Sequence, residues 1–382
     1  MKKHKILIMT VLVIIVLLIF SLILVTLINL NPTGNVIENN KEVYKIGVIV
    51  PLTGPGSNLG PAFANGMKIA VDEVNKNGGI NNKELNIYIE DGKFDSKESI
   101  NAANYLLNIK DPDIFSVIFH LPIKTVSPIL RENKKPLVYE SFTRSILEEN
   151  PYAFKSHFDA LTGCQELAEY IKYHQKNKKL GILTANTEYG NLCIQGVKKA
   201  NPEVIVYKYE FGDTDFKTIL TKATNNKIDN LIFIGIDFEF IALFKQLTEL
   251  GYPIKVACAT ASECIFKEVI DSSSEEVLDG TIAIDVIPMD LKKSDFTKKY
   301  TEKYGMPSAT ALNFAAVGYE EIQYISKAME NCKPGDFSCL IKSLKNVKDY
   351  NTLIKSNGFK NRVLQLTTNI YEYQNGEWVL LQ

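Results

Sequence analysis

The segment Pro51-Leu52-Thr53-Gly54-Pro55-Gly56-Ser57 stands between a buried-strand run and a helical run, where phosphate-binding loops occur. Its glycines, at 54, 56 and 60, lack the G-x-G-x-x-G spacing, and no G-K-[ST] follows to hold phosphate or magnesium. The sequence therefore gives no nucleotide site. The N–H groups that open the next helix could still bind a carboxylate, with a plain turn as the alternative.

Catalytic groups are the next possibility. The chain has four histidines, and no serine lies in a G-x-S-x-G elbow. His120 ends a strand run, and we interpret it as a hydrogen-bonding residue at the edge of a lobe. The pairs Glu148-Glu149 and Glu320-Glu321 are typical of solvated helix or loop faces. We therefore expect no catalytic residues, no enzyme activity and no cofactor.

All six cysteines lie well beyond the N-terminal apolar run. Cys332 and Cys339 flank Lys333-Pro334-Gly335-Asp336, a turn sequence, so we expect a local disulfide there. No CxxC or nearby histidine pair supplies zinc-ligand spacing, and no metal site is expected.

The elements that must position any site alternate along the chain. Lys45 to Val50 is a buried-strand run, a helix should open near Pro61 and close at Gly78-Gly79, and Leu85 to Glu90 completes a βαβ unit. Further strands are expected at 115–119, 137–139, 180–183, 204–209, 231–234, 255–257 and 281–286. This alternation predicts an α/β fold with parallel sheets, in two successive sets that divide near His157-Phe158.

The N-terminus carries an apolar run from Ile6 to Ile28, ~34 Å long as a helix and enough to span a bilayer. It is longer than a cleavable signal peptide, so we expect one uncleaved transmembrane helix. Lys2, Lys3 and Lys5 precede it, which places the N-terminus in the cytoplasm and the remainder outside. Residues 29–42 are predicted to be a flexible tether.

Charge excludes one class of partner. Lys and Arg number 43 and Asp and Glu 44, giving a net charge of −1 with the signs mixed along the chain. Because such a surface does not attract a phosphate backbone, nucleic acid is not expected as a partner.

From about Val43 to its C-terminus the chain resembles the type I periplasmic binding proteins, in the leucine/isoleucine/valine-binding branch that serves ABC transporters. The strongest match is KIGVIVPLTGPGSNLGPAFANGMKIAVDEVNKNGG at 45–79, followed by Ile89-Glu90-Asp91. Glu188-Tyr189-Gly190 and Ala315-Ala316-Val317-Gly318-Tyr319 also match.

The resemblance implies two Rossmann-like lobes joined by a three-strand hinge, with the solute held between them. The first lobe is expected at 43–157 plus 286–362, and the second at 158–285 plus 363–382. Residues 1–42 would form the membrane anchor and tether.

On the first lobe the resemblance implies that Thr143 holds the solute's carboxylate and ammonium through its hydroxyl. Ser141 falls where the family offers a backbone carbonyl, and Leu59 at an aromatic wall position. The family's second carboxylate-binding serine falls on Ile123, so Lys124 or Thr125 substitutes, or the solute is not an ordinary α-amino acid.

On the second lobe, Tyr189 matches the tyrosine that closes over the solute. The family's acidic ammonium ligand falls on Thr260, which makes Asp237 or Glu263 the replacement, since a buried ammonium needs acceptors.

The sequence therefore predicts an extracytoplasmic protein that captures an amino-acid-like solute for an ABC transporter permease. The alternative is a sensor ectodomain of the same fold that acts with a signalling partner.

Overall fold

The computed structural model describes residues 43–142, 144–175, 178–259, 264, 267–348, 350 and 353–381, with the backbone alone for Asp237 and Lys267. The predicted membrane span and tether lie outside these residues. Within the described part of the chain, no helix is long and apolar enough to cross a bilayer.

Strands and helices alternate as predicted through most of the described chain. The strands are β1 Tyr44–Val50, β2 Leu85–Asp91, β3 Ile114–Ile118, β4 Leu137–Glu140, β5 Ala153–Lys155, β6 Leu180–Ala185, β7 Ile205–Tyr209, β8 Asn230–Ile234, β9 Lys255–Cys258, β10 Ile282–Asp285, β11 Ser356–Lys360, β12 Val363–Leu366, β13 Asn369–Gln374 and β14 Glu377–Leu380. The α-helices are α1 Gly60–Lys76, α2 Ser96–Tyr105, α3 His120–Glu132, α4 Ser145–Glu149, α5 Ala160–His174, α6 Glu188–Ala200, α7 Lys217–Asn225, α8 Asp237–Leu250, α9 Lys267–Asp271, α10 Glu275–Leu278, α11 Asp295–Tyr304, α12 Ala309–Met329 and α13 Phe337–Asn346.

Two sheets form the cores of two α/β lobes. The first has the order β11-β12-β5-β4-β3-β1-β2, and the second β14-β13-β10-β9-β8-β6-β7. The sheets are mixed, whereas parallel sheets were expected: β11 and β12 pair antiparallel in the first, and β13 pairs antiparallel with both β10 and β14 in the second. The remaining pairs are parallel, and the central strands β1, β3 and β8, which have neighbours on both sides, are buried at nearly every position.

The chain passes between the sheets at 156–159, at 286–288 and at 367–368. The predicted lobe boundaries are 157/158, 285/286 and 362/363. In the sheet order β12 belongs to the first sheet, so the third crossover comes a few residues later in the chain than the predicted 362/363.

The physical reason for the late third crossover is a hairpin. Asn361 and Arg362, with φ of 50° and 66°, form a two-residue turn of the type that matches strand twist. The Arg362 guanidinium donates to the carbonyl oxygens of Leu147, Asn150 and Ala153 at 2.6, 2.7 and 3.2 Å. These bonds hold the β11–β12 hairpin on the first lobe.

Helices α1 and α12 pack closely on the first sheet because each carries a glycine at the crossing. A Cβ on Gly66 would lie 1.9 Å from the carbonyl oxygen of Ala315, and one on Gly318 would lie 2.2 Å from that of Phe63. Any larger residue at either position would force the helices apart. The long α12, which carries part of the site described below, is fixed through this contact.

The predicted disulfide between Cys332 and Cys339 is confirmed, with the Cα atoms 5.7 Å apart. Two further bridges join Cys164 of α5 to Cys193 of α6, and Cys258 at the end of β9 to Cys264. Each of these three bridges lies within one lobe.

Candidate functional site

A cavity of about 300 Å³ lies between the two lobes. Its walls include the carboxyl ends of four parallel strands: Glu140 closes β4, Ala185 closes β6, Ile234 closes β8 and Asp285 closes β10. Because parallel strands of α/β sheets present their carboxyl ends to ligands, this is the expected place for a binding site.

Most of the cavity wall is apolar, and much of it is aromatic. The aromatic lining residues are Phe142, His157, Phe158, Tyr189, Tyr209, Phe211 and Phe314. Three carboxyl side chains, those of Glu140, Glu239 and Asp285, also line it. None of the described lining residues is a lysine or an arginine.

An aromatic pair closes the cavity on one side. The rings of Phe142 on the first lobe and Tyr189 on the second stack with centroids 4.7 Å apart and planes 27° apart. The Phe142 ring also lies against the His157 imidazole, with centroids 5.3 Å apart. A second pocket of about 330 Å³ shares Glu140, Phe142 and Tyr189 with the cavity and is also lined by Ser141.

Tyr189 is positioned by the start of α6. The Thr187 hydroxyl oxygen accepts a hydrogen bond from the Gly190 N–H at 3.1 Å, which caps the helix. A Cβ on Gly190 would lie 2.3 Å from the Thr184 hydroxyl oxygen and 2.4 Å from the Ala185 carbonyl oxygen. Glycine therefore lets the first turn of α6 approach the end of β6 and brings Tyr189 to the cleft.

Glu140 ends β4 with its side chain only 3% exposed. Its carbonyl oxygen accepts from the N–H of Phe119, which has a left-handed φ of 69°. Within the described chain, the one group at ion-pair distance from its carboxylate is the His157 imidazole, with Nε2 3.5 Å from Oε1. Burial raises the pKa of Glu140 to about 7, although the charge of Lys155 acts to lower it.

His157 does not supply a counter-charge to Glu140. Burial, followed by the positive charge of Lys155, lowers the pKa of His157 to about 3, so the imidazole is neutral at physiological pH. Its Nδ1 is buried and has no hydrogen-bond partner among the described residues.

The Lys155 side chain forms hydrogen bonds to the backbone of the first crossover. Its side chain is fully buried, and its ammonium donates to the carbonyl oxygens of His157 and Phe158 at 2.6 and 2.7 Å. Burial lowers its pKa to about 8, against the charges of Asp159 and Glu140. These bonds hold the segment that carries His157 and Phe158 against the cavity.

Asp159 caps α5 and pairs with Arg144 across the first crossover. The Arg144 guanidinium donates to both carboxylate oxygens at 2.6 and 2.5 Å, and to the Thr162 hydroxyl at 3.1 Å. Burial acts to raise the pKa of Asp159, but the bonds from Arg144 outweigh it and the pKa is lowered. The ion pair ties the loop after β4 to the helix that opens the second lobe.

Glu239 and Asp285 are both satisfied by protein donors. The Glu239 carboxylate accepts from the Tyr209 hydroxyl and from the N–H groups of Ile236 and Gly212, each at 2.9 Å. The Asp285 carboxylate accepts from the N–H groups of Val286 and Ile287 at 2.7 and 3.0 Å. Their hydrogen bonds give both side chains a structural role at the cavity wall.

The prediction that Glu320 and Glu321 lie on a solvated face is wrong. The two residues are only 5% and 1% exposed. The Glu320 carboxylate accepts from the N–H groups of Leu353 and Ile354, and that of Glu321 accepts from the Ser156 hydroxyl at 3.3 Å. Burial raises the pKa of Glu320 to about 8 and that of Glu321 to about 7. They fix α12 to neighbouring segments of the first lobe.

A sequence model of the periplasmic binding protein family matches residues 43–376. The chain belongs to this family. It is 24% identical over 322 residues to a Leu/Ile/Val-binding protein of Rhizobium johnstonii, covering 81% of this chain and 85% of that one. A leucine-, isoleucine-, valine-, threonine- and alanine-binding protein of Pseudomonas aeruginosa is 22% identical, with coverage of 77% and 80%.

Solved structures of transporter solute-binding proteins share the fold. An isoleucine complex of a branched-chain amino acid transporter substrate-binding protein from Streptococcus pneumoniae superposes with a TM-score of 0.69 at 19% identity, covering 89% of this chain and 99% of that one. A solute-binding protein of an ABC transporter from Rhodopseudomonas palustris, in complex with 3,4-dihydroxybenzoic acid, gives 0.70 at 19% identity, covering 89% and 96%.

Of the residues predicted from the family pattern, two lie at the cleft. Tyr189 lines both pockets and Ser141 lines the second. Leu59 is half-buried against the core of the first lobe and lines neither pocket. Ile123 also lines neither pocket: its side chain is fully buried in the core on α3, and its N–H donates to the Phe119 carbonyl oxygen.

Neither suggested substitute for Ile123 lines the two pockets, and the Thr125 hydroxyl donates to the Leu121 carbonyl oxygen at 2.8 Å. Thr143, Thr260, Glu263 and the side chain of Asp237 lie outside the described residues. Thr260 and Glu263 fall between Cys258 and Cys264, which are joined by a disulfide.

Sequence reasoning missed Glu140 and Glu239 as lining residues. Glu140 had a readable signal, because a carboxyl ends the otherwise apolar strand LVYE, at the edge where ligands bind. Glu239 had none, since it falls within the predominantly apolar sequence of α8 and its burial depends on Tyr209 from a different strand.

Proposed function

We propose that this protein captures an amino acid or amino-acid-like solute between its lobes and delivers it to an ABC transporter permease. The observation that supports this most is the cavity between the lobes at the carboxyl ends of their strands, closed by the stacked rings of Phe142 and Tyr189. An apolar cavity with a few polar groups suits a small solute that has one apolar part and one polar part.

The contacts proposed for the solute follow the family pattern. Thr143 supplies a hydroxyl from the first lobe, and Tyr189 closes from the second after the solute has entered. Asp237 supplies negative charge for an ammonium, with Glu263 as the next candidate. Because these groups belong to both lobes, solute binding closes the lobes by a hinge motion at the three crossovers.

We also propose that the N-terminal apolar run, Ile6 to Ile28, remains attached and anchors the protein with its lobes outside the cell membrane. N-terminal sequencing of the native protein tests this proposal. A mature chain that begins downstream of Ile28 would contradict it.

The test of the function is direct identification of the solute. The full-length protein is purified in mild detergent without added ligand, then denatured, and the released small molecules are analysed by mass spectrometry. We expect one amino-acid-like compound at close to one equivalent, absent from a detergent blank. Recovery of a hydrolysed product from a supplied amide or ester would instead indicate an enzyme.

A further inference from the structure

The three carboxyl groups that line the cavity differ in their partners. Glu239 accepts three hydrogen bonds from protein donors, and Asp285 accepts two. The Glu140 carboxyl has the N–H of Phe119 as a hydrogen-bond donor and faces the neutral imidazole of His157 at 3.5 Å. Of the three carboxyls, Glu140 therefore has the fewest protein donors among the described residues and the most capacity to accept a hydrogen bond from a solute.

Aromatic rings line the cavity together with Glu140. Phe142, Tyr189 and Phe314 line both pockets with Glu140, and Phe158 lines the first. A cation is attracted to the face of an aromatic ring, and more strongly where water is excluded. A cavity lined by aromatic rings and a carboxylate therefore suits an ammonium group.

The lining disfavours an anion. The described lining residues include no lysine or arginine, while Glu239 and Asp285 add negative charge to the wall. A carboxylate on the solute would have to rely on neutral donors and would lie near like charges. The charge pattern therefore favours an organic cation over a zwitterion, and a zwitterion over an acid.

We propose that the solute is an organic amine with a compact apolar body, and that Glu140 binds its charged nitrogen between the aromatic rings. The inference rests on the proposed solute-binding function and narrows the class of solute. The inference places the carboxylate that binds the solute's ammonium group on the first lobe, at Glu140. The family pattern instead placed this carboxylate on the second lobe, at Asp237 or Glu263.

Cation binding at Glu140 is linked to the release of a proton from its carboxyl group. Burial holds the pKa of this carboxyl near 7, so part of the population is protonated at neutral pH, and an ammonium favours the charged form. Other titratable groups lie near the Glu140 carboxyl. On the first crossover His157 is neutral, and the charges of Lys155 and Asp159 attract each other at 3.9 Å. On α12, Glu321 is buried. Binding near pH 6.5 therefore releases a proton, and affinity rises between pH 6 and pH 8.

Three compounds of nearly equal shape but different charge test the inference. 3-Methylbutylamine is a cation, leucine is a zwitterion and 4-methylpentanoate is an anion. Calorimetric titration of the full-length protein in detergent, each corrected by a micelle blank, gives their affinities. We expect the amine to bind at least tenfold more tightly than leucine, and the acid not to bind. Repeating the amine titration at pH 6.5 in two buffers of different ionisation enthalpy measures the released proton.

Glu140→Gln should weaken amine binding by about 30-fold or more and abolish proton release. Glu148 is an exposed carboxyl residue on α4, and Glu148→Gln is the matched control. It should change neither the affinity for the amine nor the proton release. Leucine or the acid binding more tightly than the amine would overturn the inference and leave solute capture standing. Unchanged amine affinity in a folded Glu140→Gln protein would also overturn it, and no binding of any probe would overturn it together with the proposed amino-acid-like class.

Discussion

The ring of Phe142, on the first lobe, stacks on the ring of Tyr189, on the second, with their centroids 4.7 Å apart. The pair lies where the cavity meets the second pocket, and both residues line both pockets. An aromatic pair of this geometry contributes about 0.5–1.5 kcal/mol beyond its buried area. It therefore favours the closed arrangement of the lobes by a modest amount that a solute can supplement.

Replacing Phe142 with alanine should shift the protein without solute towards open lobes, by up to about tenfold in the ratio of open to closed forms. Small-angle neutron scattering with the detergent matched out should then give a larger radius of gyration than the parent. Phe142→Tyr is the control, because it keeps an aromatic ring at that position and should leave the radius unchanged. Equal radii for the parent and Phe142→Ala would show that the stack does not hold the lobes.

The ion pair between Arg144 and Asp159 should matter for stability as well as for hinge geometry. Asp159→Asn should reduce the free energy of unfolding by about 2 kcal/mol at pH 7, less than for a fully buried pair because Arg144 is partly exposed. Because the pKa of Asp159 is lowered on folding, its contribution is present above about pH 4 and is lost as the pH falls through the folded value. Urea unfolding should therefore give the parent and Asp159→Asn the same free energy of unfolding in acid. Arg144→Lys should have an intermediate stability at pH 7. A difference between the parent and Asp159→Asn that does not depend on pH would contradict the assignment.

Glu320 should make stability depend on pH in the opposite sense. Its carboxyl has a pKa of about 8 in the folded chain against an ordinary value of 4.5, so the folded state retains a proton that the unfolded state loses. The stabilising contribution is present below about pH 4.5 and is lost as the pH rises towards 8. Thermal unfolding of Glu320→Gln should vary less between pH 5 and pH 8 than that of the parent. The exposed Glu302→Gln should follow the parent, and identical slopes for all three would refute the burial argument.

The disulfides should differ in their contribution to stability because they close loops of different length. Cys164 and Cys193 are 29 residues apart, whereas Cys332 and Cys339 are 7 apart. The loop-entropy model gives about 3–4 kcal/mol for the longer loop and about 2–3 kcal/mol for the shorter. Paired alanine replacements, compared by guanidinium unfolding, should show the larger loss for the Cys164–Cys193 pair. A reversed order would mean that lost packing or strain outweighs loop closure.

Much of the fold could be predicted from the sequence because its signals are local. The run KIGVIV becomes β1, and Gly78 and Gly79, with φ of 97° and 73°, end the first helix as expected. Cys332 and Cys339 flank a turn and are bridged. Each of these outcomes depends on residues close together in the chain.

The errors arise where the outcome depends on distant residues. Glu320 looks solvated in the sequence, and its burial comes from the N–H groups of Leu353 and Ile354 some 33 residues later. The strand 363–366 joins the first lobe because Arg362 binds carbonyl groups of residues 147–153. Ile123 is a core residue because α3 turns that side towards the sheet. The family pattern located the cleft through Tyr189, but Glu140 emerged from the arrangement of charges within it.

The C-terminal hairpins set the order in which the lobes can be completed as the chain is synthesised. β12 covers the edge of β5 in the first sheet and β13 covers that of β10 in the second, so residues 356–380 finish both sheets. Until that segment is available, two buried strands have an edge that can pair with another chain. A nascent chain that stalls near residue 350 would therefore be a substrate for chaperones and proteases, whereas the finished chain shields both edges together.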